Sequence, residues 1–183
     1  MNIWHDLDES RVTSDSLTAV IEISKGSKQK YELDKDTGML ILDRVLFTST
    51  HYPANYGFIP RTLSQDGDPL DILVLCQESI LPMTLVQCYP IGVLKMIDND
   101  DDDEKIIAIP FGDPSMSCYK DISDLPLHIF NEIKHFFEVY KNLENKFTKV
   151  ENILGRVRAE ETIMECIELY NDKYVKKSVK KAQ

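Results

Sequence analysis

Leu17, Ala19, Ile21 and Ile23 alternate with Thr18, Val20 and Glu22, the two-residue period of a β-strand, and a turn at Lys25-Gly26-Ser27 follows. Further strands are predicted at Lys30–Leu33, Met39–Phe47, Asp71–Cys76, Thr84–Met96 and Lys105–Pro110, runs rich in Val, Ile and Leu between Gly, Pro or Asp-rich turns. Beyond Pro114 the period lengthens. Ile129, Ile133, Phe136, Phe137 and Tyr140 recur at three- and four-residue steps, with Ser123 or Asp124 as the cap and Pro126 in the first turn, which predicts an amphipathic helix. A second helix is predicted from about Ala159 to Tyr174, where Ile163, Cys166, Ile167, Tyr170 and Tyr174 share a face. It runs into a basic tail, 175–183, expected to fray in solvent; residues 1–16 are polar and expected to form an arm over the surface. Strands first and helices afterwards indicate an α+β fold, mainly β, with two main helices against a small barrel. No repeat or break in composition divides 1–183 into more than one domain.

With 43% hydrophobic and 28% charged residues, the chain can bury a core without disulfides, which excludes intrinsic disorder. Net charge is 21 minus 31, or -10, a field that repels nucleic-acid backbones and anionic membranes. An anionic small substrate needs bound cations or gathered Lys and Arg to reverse that field locally. Cys76, Cys88, Cys118 and Cys166 form no C-x-x-C or Cys/His cluster and are expected to be buried free thiols. The N-terminus lacks the basic and apolar regions of a leader, and no run reaches the roughly 18 apolar residues of a membrane span, so a cytoplasmic location is expected.

The densest chemistry is Asp66-Gly67-Asp68-Pro69-Leu70-Asp71, three carboxylates in a Gly/Pro turn that opens a strand. Such carboxylates either stay in water as an acidic turn or converge on hard divalent cations that relieve their repulsion. A second run, Asp98-Asn99-Asp100-Asp101-Asp102-Asp103-Glu104, is expected to be largely a solvated loop. It is no calcium hand loop, because Asp103 stands where Gly is required and Ile109 where the closing Glu belongs. Lys30 beside Glu32, Arg44, Lys105 and Tyr140-Lys141 could together read phosphate, although each taken singly reads first as an ordinary surface residue. Tyr52 and Tyr56 flank Pro53-Ala54-Asn55 in a compact aromatic turn. Sequence signatures of Walker nucleotide hydrolases, dinucleotide enzymes, serine hydrolases and zincins are absent.

Together these blocks closely resemble the soluble family I inorganic pyrophosphatases of the short prokaryotic type. The family's metal motif D-[GSND]-D-P-[hydrophobic]-D is met by Asp66 to Asp71. Agreement extends through Val20-Ile21-Glu22, Lys30-Tyr31-Glu32, Asp43-Arg44, Tyr52-Pro53-Ala54-Asn55-Tyr56-Gly57, Lys95-Met96-Ile97-Asp98, Asp103-Glu104-Lys105 and His135-Phe136-Phe137-Glu138-Val139-Tyr140-Lys141. The resemblance implies a five-stranded OB-like closed barrel flanked by helices, a homo-oligomer, commonly a hexamer, and Mg²⁺ as cofactor, with Mn²⁺ or Zn²⁺ as substitutes. It implies that Asp66, Asp71 and Asp103 hold one metal, that Asp71 bridges to a second, that Asp98, Asp103 and Glu32 meet the metals arriving with substrate, and that Glu22 acts through coordinated water. Lys30, Arg44, Lys105, Tyr140 and Lys141 would hold the phosphates, Tyr56 would donate near the nucleophile, Tyr52 would line the site, and Asp68 would be the general base. The implied reaction is hydrolysis of pyrophosphate to two orthophosphates. A hydroxide shared by metals about 3.5–4 Å apart would attack in line, and Arg44 and Lys141 would stabilise the leaving phosphate.

One departure concerns assembly: some bacterial relatives carry a second His one turn after the position of His135, in a helix used for subunit contacts, and here that place is Val139. Two other functions fit parts of the pattern. A Mg²⁺-dependent hydrolase of tripolyphosphate or a nucleotide would use the same residue types. A non-catalytic OB-like binding module would share the fold, but it leaves the grouped carboxylates without a purpose.

Overall fold

A computed structural model describes residues 2–99 and 101–176 of the chain. Most strands follow the hydrophobic pattern: β1 (Leu17–Ile23), β2 (Gln29–Leu33), β3 (Leu40–Val45), β5 (Asp71–Val74), β6 (Leu85–Asp98) and β7 (Asp101–Pro110). Two strands were not anticipated, β4 (Asn55–Phe58) within the aromatic turn and β8 (Thr148–Gly155) between the helices. The order β1-β4-β5-β7-β6-β8, with β1 also paired to β6, makes a ring of five strands with β8 outside it; β2 and β3 form a separate two-stranded sheet. All neighbours in the ring are antiparallel except β5 and β7.

The strands of the ring are buried on both faces, so their side chains divide by period two between two apolar clusters. Leu73, Ile107 and Ile109 pack with Phe136 and Phe137 of helix α2 (Leu127–Val139). Ile72, Val74, Ile106 and Ala108 pack with Ala159, Ile163 and Cys166 of helix α3 (Arg156–Tyr170). Gly57 is required where β4 crosses β1, because a Cβ there would lie 1.8 Å from the Val20 carbonyl oxygen.

The helix boundaries differ from the sequence reading. Asp121 is the N-cap residue and forms a capping box with Asp124, and the box caps a separate 3₁₀ turn, Ile122–Asp124, rather than the helix. Helix α2 begins only after it, with Pro126 at the N-cap position rather than inside the first turn. Helix α3 starts at Arg156, three residues early, and gives way at Asn171 to a π-helical turn holding Tyr174. In the polar N-terminal arm Ile3–Asp6 form the short helix α1, and Trp4, Leu7 and Val12 are buried. Cys88 and Cys166 are buried as expected, but Cys76 is half-buried and Cys118 exposed, because the latter lies in the polar loop before α2. Lys177, Lys180 and Lys181 of the basic tail, and Asp100 of the acidic run, lie outside the described residues. No helix among the described residues is long and apolar enough to cross a membrane.

Candidate active site

The candidate residues gather at the end of the ring where β5 and β7 begin and β6 ends. Parallel pairing of β5 with β7 sets Asp71 opposite Lys105. The β6–β7 hairpin closes with Asp98 opposite Asp101, so much of the acidic run is strand rather than loop. Pleating turns Asp103 towards Lys105 and Asp102 to the opposite, exposed face, while Asp101, on the face of Asp103, is exposed at the hairpin end. In the acidic turn Gly67 adopts φ 93°, a left-handed conformation that favours glycine. The Asp68 amide donates to Asp66 Oδ1 at 2.9 Å.

Lys105 is the hub. Its side chain is 3% exposed, and Nζ reaches Asp71 Oδ2 at 2.6 Å, Asp103 Oδ2 at 2.8 Å and the Tyr56 hydroxyl at 3.1 Å. The Tyr56 hydroxyl itself donates to Asp71. Burial opposes the charge on Lys105, but Asp103 and Asp71 outweigh it and hold its pKa well above the usual lysine range. Asp103 is pushed up by burial and by Asp71 and Asp98, against the pull of Lys105; Asp66 is pushed up by burial and by Asp68 and Asp71. Burial and crowding of carboxylates thus both disfavour full ionisation at this end of the ring.

Further pairs surround the hub. Lys141, just past α2, pairs with Asp98, and on the β2–β3 hairpin Lys30 pairs with Glu32 and lies 3.3 Å from Asp43. Arg44, opposite Lys30 in the hairpin register, pairs with Asp43 and donates from Nε to Glu144 Oε1 at 2.9 Å. Its Nη2 is buried without a hydrogen-bond partner. Tyr140 is buried against Phe136 and Phe137, and burial raises its hydroxyl pKa. A cavity of about 180 Å³ is lined by Glu22, Glu32, Lys30, Tyr56 and the acidic carboxylates Asp66, Asp68 and Asp71, with Lys35 at its border. A larger one of about 740 Å³ lies away from these carboxylates, against His51, His135 and Phe136, with Tyr52 in its wall. Tyr52 backs Tyr56, with ring centroids 5.4 Å apart, and does not line the smaller cavity.

Among the described residues no three His, Cys, Asp or Glu side chains are drawn together as a cage for a metal ion, because lysines stand between the carboxylates. Two residues of this network, Glu144 and Lys35, escaped the sequence reading, and Asp43 entered it only within the Asp43-Arg44 match, with no role of its own. Asp43 and Glu144 orient Arg44, and Lys35 pairs with Asp68. Asp43 lies beside Arg44 in sequence and could have been suspected from that; Glu144 is 100 residues away from Arg44 and gives no local signal.

Glu22 on β1 is 7% exposed, and its Oε1 accepts the Leu33 amide at 2.7 Å. Burial, with the Asp71 charge adding to it, pushes its pKa from 4.5 up to about 8. Between those values the folded state binds more protons than the unfolded state, so stability falls as pH rises through the window and levels off above it. Replacement of Glu22 by Gln is expected to remove this slope. Denaturation midpoints measured in EDTA across the window check it, and identical slopes for wild type and variant would disprove it.

Fold and side chains together define the class: a ring of five strands that gathers carboxylates and cations at one end. Residues 19–171 match the family model for inorganic pyrophosphatase. The chain is 46% identical over 177 residues to soluble inorganic pyrophosphatase 2 of Chlamydomonas reinhardtii, covering 97% of this chain and 92% of that protein. The structure of an inorganic pyrophosphatase from Helicobacter pylori superposes with a TM-score of 0.87 at 47% identity, covering 91% of this chain and 99% of that one. That from Thermus thermophilus gives 0.88 at 39% identity, covering 93% and 99%. The chain belongs to the inorganic pyrophosphatase family.

Proposed function

We propose that this chain hydrolyses inorganic pyrophosphate to two orthophosphates in a Mg²⁺-dependent, in-line reaction without a covalent intermediate. One observation carries the reading: the ion pairs of the site join groups of opposite use. Asp71 and Asp103 share Lys105, Asp98 holds Lys141, and Glu32 holds Lys30. Separated, each pair yields an oxygen ligand for a cation and an N–H donor for a phosphoryl oxygen, the two sets that a highly charged pyrophosphate requires. The unpartnered Nη2 of Arg44 is a further donor of that kind.

The donor set suits Mg²⁺. Asp66, Asp71, Asp98, Asp103, Glu32 and Glu22 offer carboxylate oxygens and no thiolate or imidazole, which favours hard cations. Burial, with repulsion from neighbouring carboxylates added to it, raises the pKa of Asp66 and Asp103, and divalent charge would favour their ionised forms. When bound, Mg²⁺ neutralises substrate charge and makes the attacking water more acidic. The chain's own residues do the remainder. Lys30, Lys105 and Tyr140 hold the phosphates, and Tyr56 orients Asp71 through its hydroxyl. Asp68 accepts the proton of the water as its oxygen bonds to phosphorus. The bridging P–O bond breaks, and Arg44 and Lys141 stabilise the charge that passes to the departing phosphate.

Orthophosphate release from pyrophosphate, tripolyphosphate and ATP, each with Mg²⁺, tests the reading. Release is expected chiefly from pyrophosphate; faster release from either other substrate, or none from any, would defeat it. Asp71→Asn removes one of the charges paired with Lys105 and is expected to lower activity at limiting Mg²⁺ by at least the roughly 10- to 100-fold seen when even outer partners of a metal site are lost. Wild-type turnover of that variant at limiting Mg²⁺ would contradict the metal assignment.

A further inference from the structure

The N-terminal helix and the β2–β3 hairpin meet at Lys35, which takes no part in the scheme above. Lys35 lies just past β2, and its ammonium pairs with the Asp68 carboxylate at the border of the 180 Å³ cavity. The same nitrogen lies 5.6 Å from the centroid of the Trp4 ring, and the Lys35 carbonyl accepts Asn2 Nδ2 at 2.7 Å. Trp4 is a fixed platform. It is 3% exposed, its Nε1 donates to the Thr62 carbonyl at 2.9 Å, and its carbonyl accepts the Arg61 amide at 2.9 Å. Thr62 Oγ1 in turn accepts the Leu70 amide at 2.9 Å. The platform under Lys35 is thus tied to both ends of the segment that carries Asp66 and Asp68.

The backbone of Asp68 is held by its own turn, since its carbonyl accepts the Ser64 amide at 2.7 Å and its amide donates to Asp66. Its carboxylate is not. That side chain is 57% exposed, and Lys35 is the side chain bonded to it among the described residues. An exposed ion pair is ordinarily weak because two long side chains must be ordered to form it. Here the Trp4 ring attracts the lysine's ammonium and the Asn2 bond holds its backbone beforehand, which removes part of that cost.

We propose that Lys35, seated on Trp4, is a positioning residue that sets the direction of the Asp68 carboxylate towards the attacking water. The inference rests on Asp68 being the proton acceptor. Because the pair is exposed, its loss should appear in turnover rather than in stability. Misplacement of a reacting group by about 1 Å can cost on the order of 100-fold, so Lys35→Met is expected to lower kcat about 10- to 100-fold with KM and melting temperature little changed. Lys35→Arg keeps a cation over the ring and is expected to retain most of the turnover.

The deciding experiment is a double-mutant cycle on Mg²⁺-pyrophosphate hydrolysis with Lys35→Met, Asp68→Asn and both together. A residue acting through Asp68 has nothing left to position once Asp68 is replaced, so the double variant should match Asp68→Asn within about twofold. If Lys35→Met lowers kcat by the same factor in both backgrounds, or raises KM while kcat is kept, Lys35 acts on substrate directly and the inference is overturned. Wild-type turnover in Asp68→Asn alone refutes the proton-acceptor reading instead, whatever Lys35→Met does.

Discussion

Lys105→Met is expected to damage both stability and catalysis, and the two losses should separate on addition of Mg²⁺. Lys105 is 2% exposed and joins Asp71 and Asp103 in the middle of the site. Removing one partner of a buried ion pair leaves charge without compensation, which costs about 3–5 kcal/mol. Methionine fills most of the volume, so the loss is electrostatic more than one of packing. Divalent cations recruited by the same carboxylates would restore part of the unfolding free energy by mass action. Turnover would not return with them, because a donor aimed at the phosphates is gone, a loss of roughly 10² to 10³ in kcat. Denaturation midpoints with EDTA and with Mg²⁺, beside kcat at saturating Mg²⁺, check both halves. An unfolding free energy equal to wild type in EDTA would show that the pair is not the electrostatic keystone of the site.

Asp68→Asn should be the cleanest lesion of chemistry alone. Asp68 lies between Gly67 and Pro69 in the acidic turn, more exposed than Asp71 or Asp103 and outside the Lys105 hub. Asparagine keeps the size and one oxygen but cannot take a proton. At neutral pH kcat should fall by the roughly 10² to 10⁴-fold typical of a lost general base, with little loss of substrate binding. The defect should narrow as rising pH supplies hydroxide. A metal ligand would behave otherwise: the variant would need more Mg²⁺ and recover full turnover at saturation, and that outcome would move the proton acceptor elsewhere.

Much of this was legible in the sequence because local pattern and burial agree. The long apolar strands β1, β5, β6 and β7 announce themselves by Val, Ile and Leu, and the turn Asp66–Asp71 by three acids around Gly and Pro. β4 was hidden because it is four residues long and contains Asn55 and Gly57, both poor strand formers. Tertiary structure demands them there. Gly57 permits contact with β1, and buried Asn55 receives the Lys25 and Ile80 amides on its Oδ1. β8 reads as polar because it lies outside the ring and pairs only with β6. In the acidic run, solvated loop and strand share one composition, and only pairing with β6 shows which acids turn inward. Glu144 and Lys35 were invisible as site residues for the same reason: each meets its partner across the fold, with no periodicity to betray it.

The separation of the β2–β3 hairpin from the five-stranded ring divides the site between two cooperative units. A strand in a ring cannot shift register without disturbing every neighbour, so the amides of β5 and β7 that frame Asp71, Asp103 and Lys105 should exchange with solvent only through global opening. The hairpin holding Lys30 and Arg44 has two strands, one edge on each side, and exposed Met39, Ile41, Leu42 and Val45, and it can open by itself. The acidic bank is therefore rigid on the timescale over which the hairpin breathes. If the hairpin opens alone, Lys30 and Arg44 leave the site while Asp71, Asp103 and Lys105 stay framed by the ring, so amide exchange is expected to be faster in β2 and β3 than in β5 and β7.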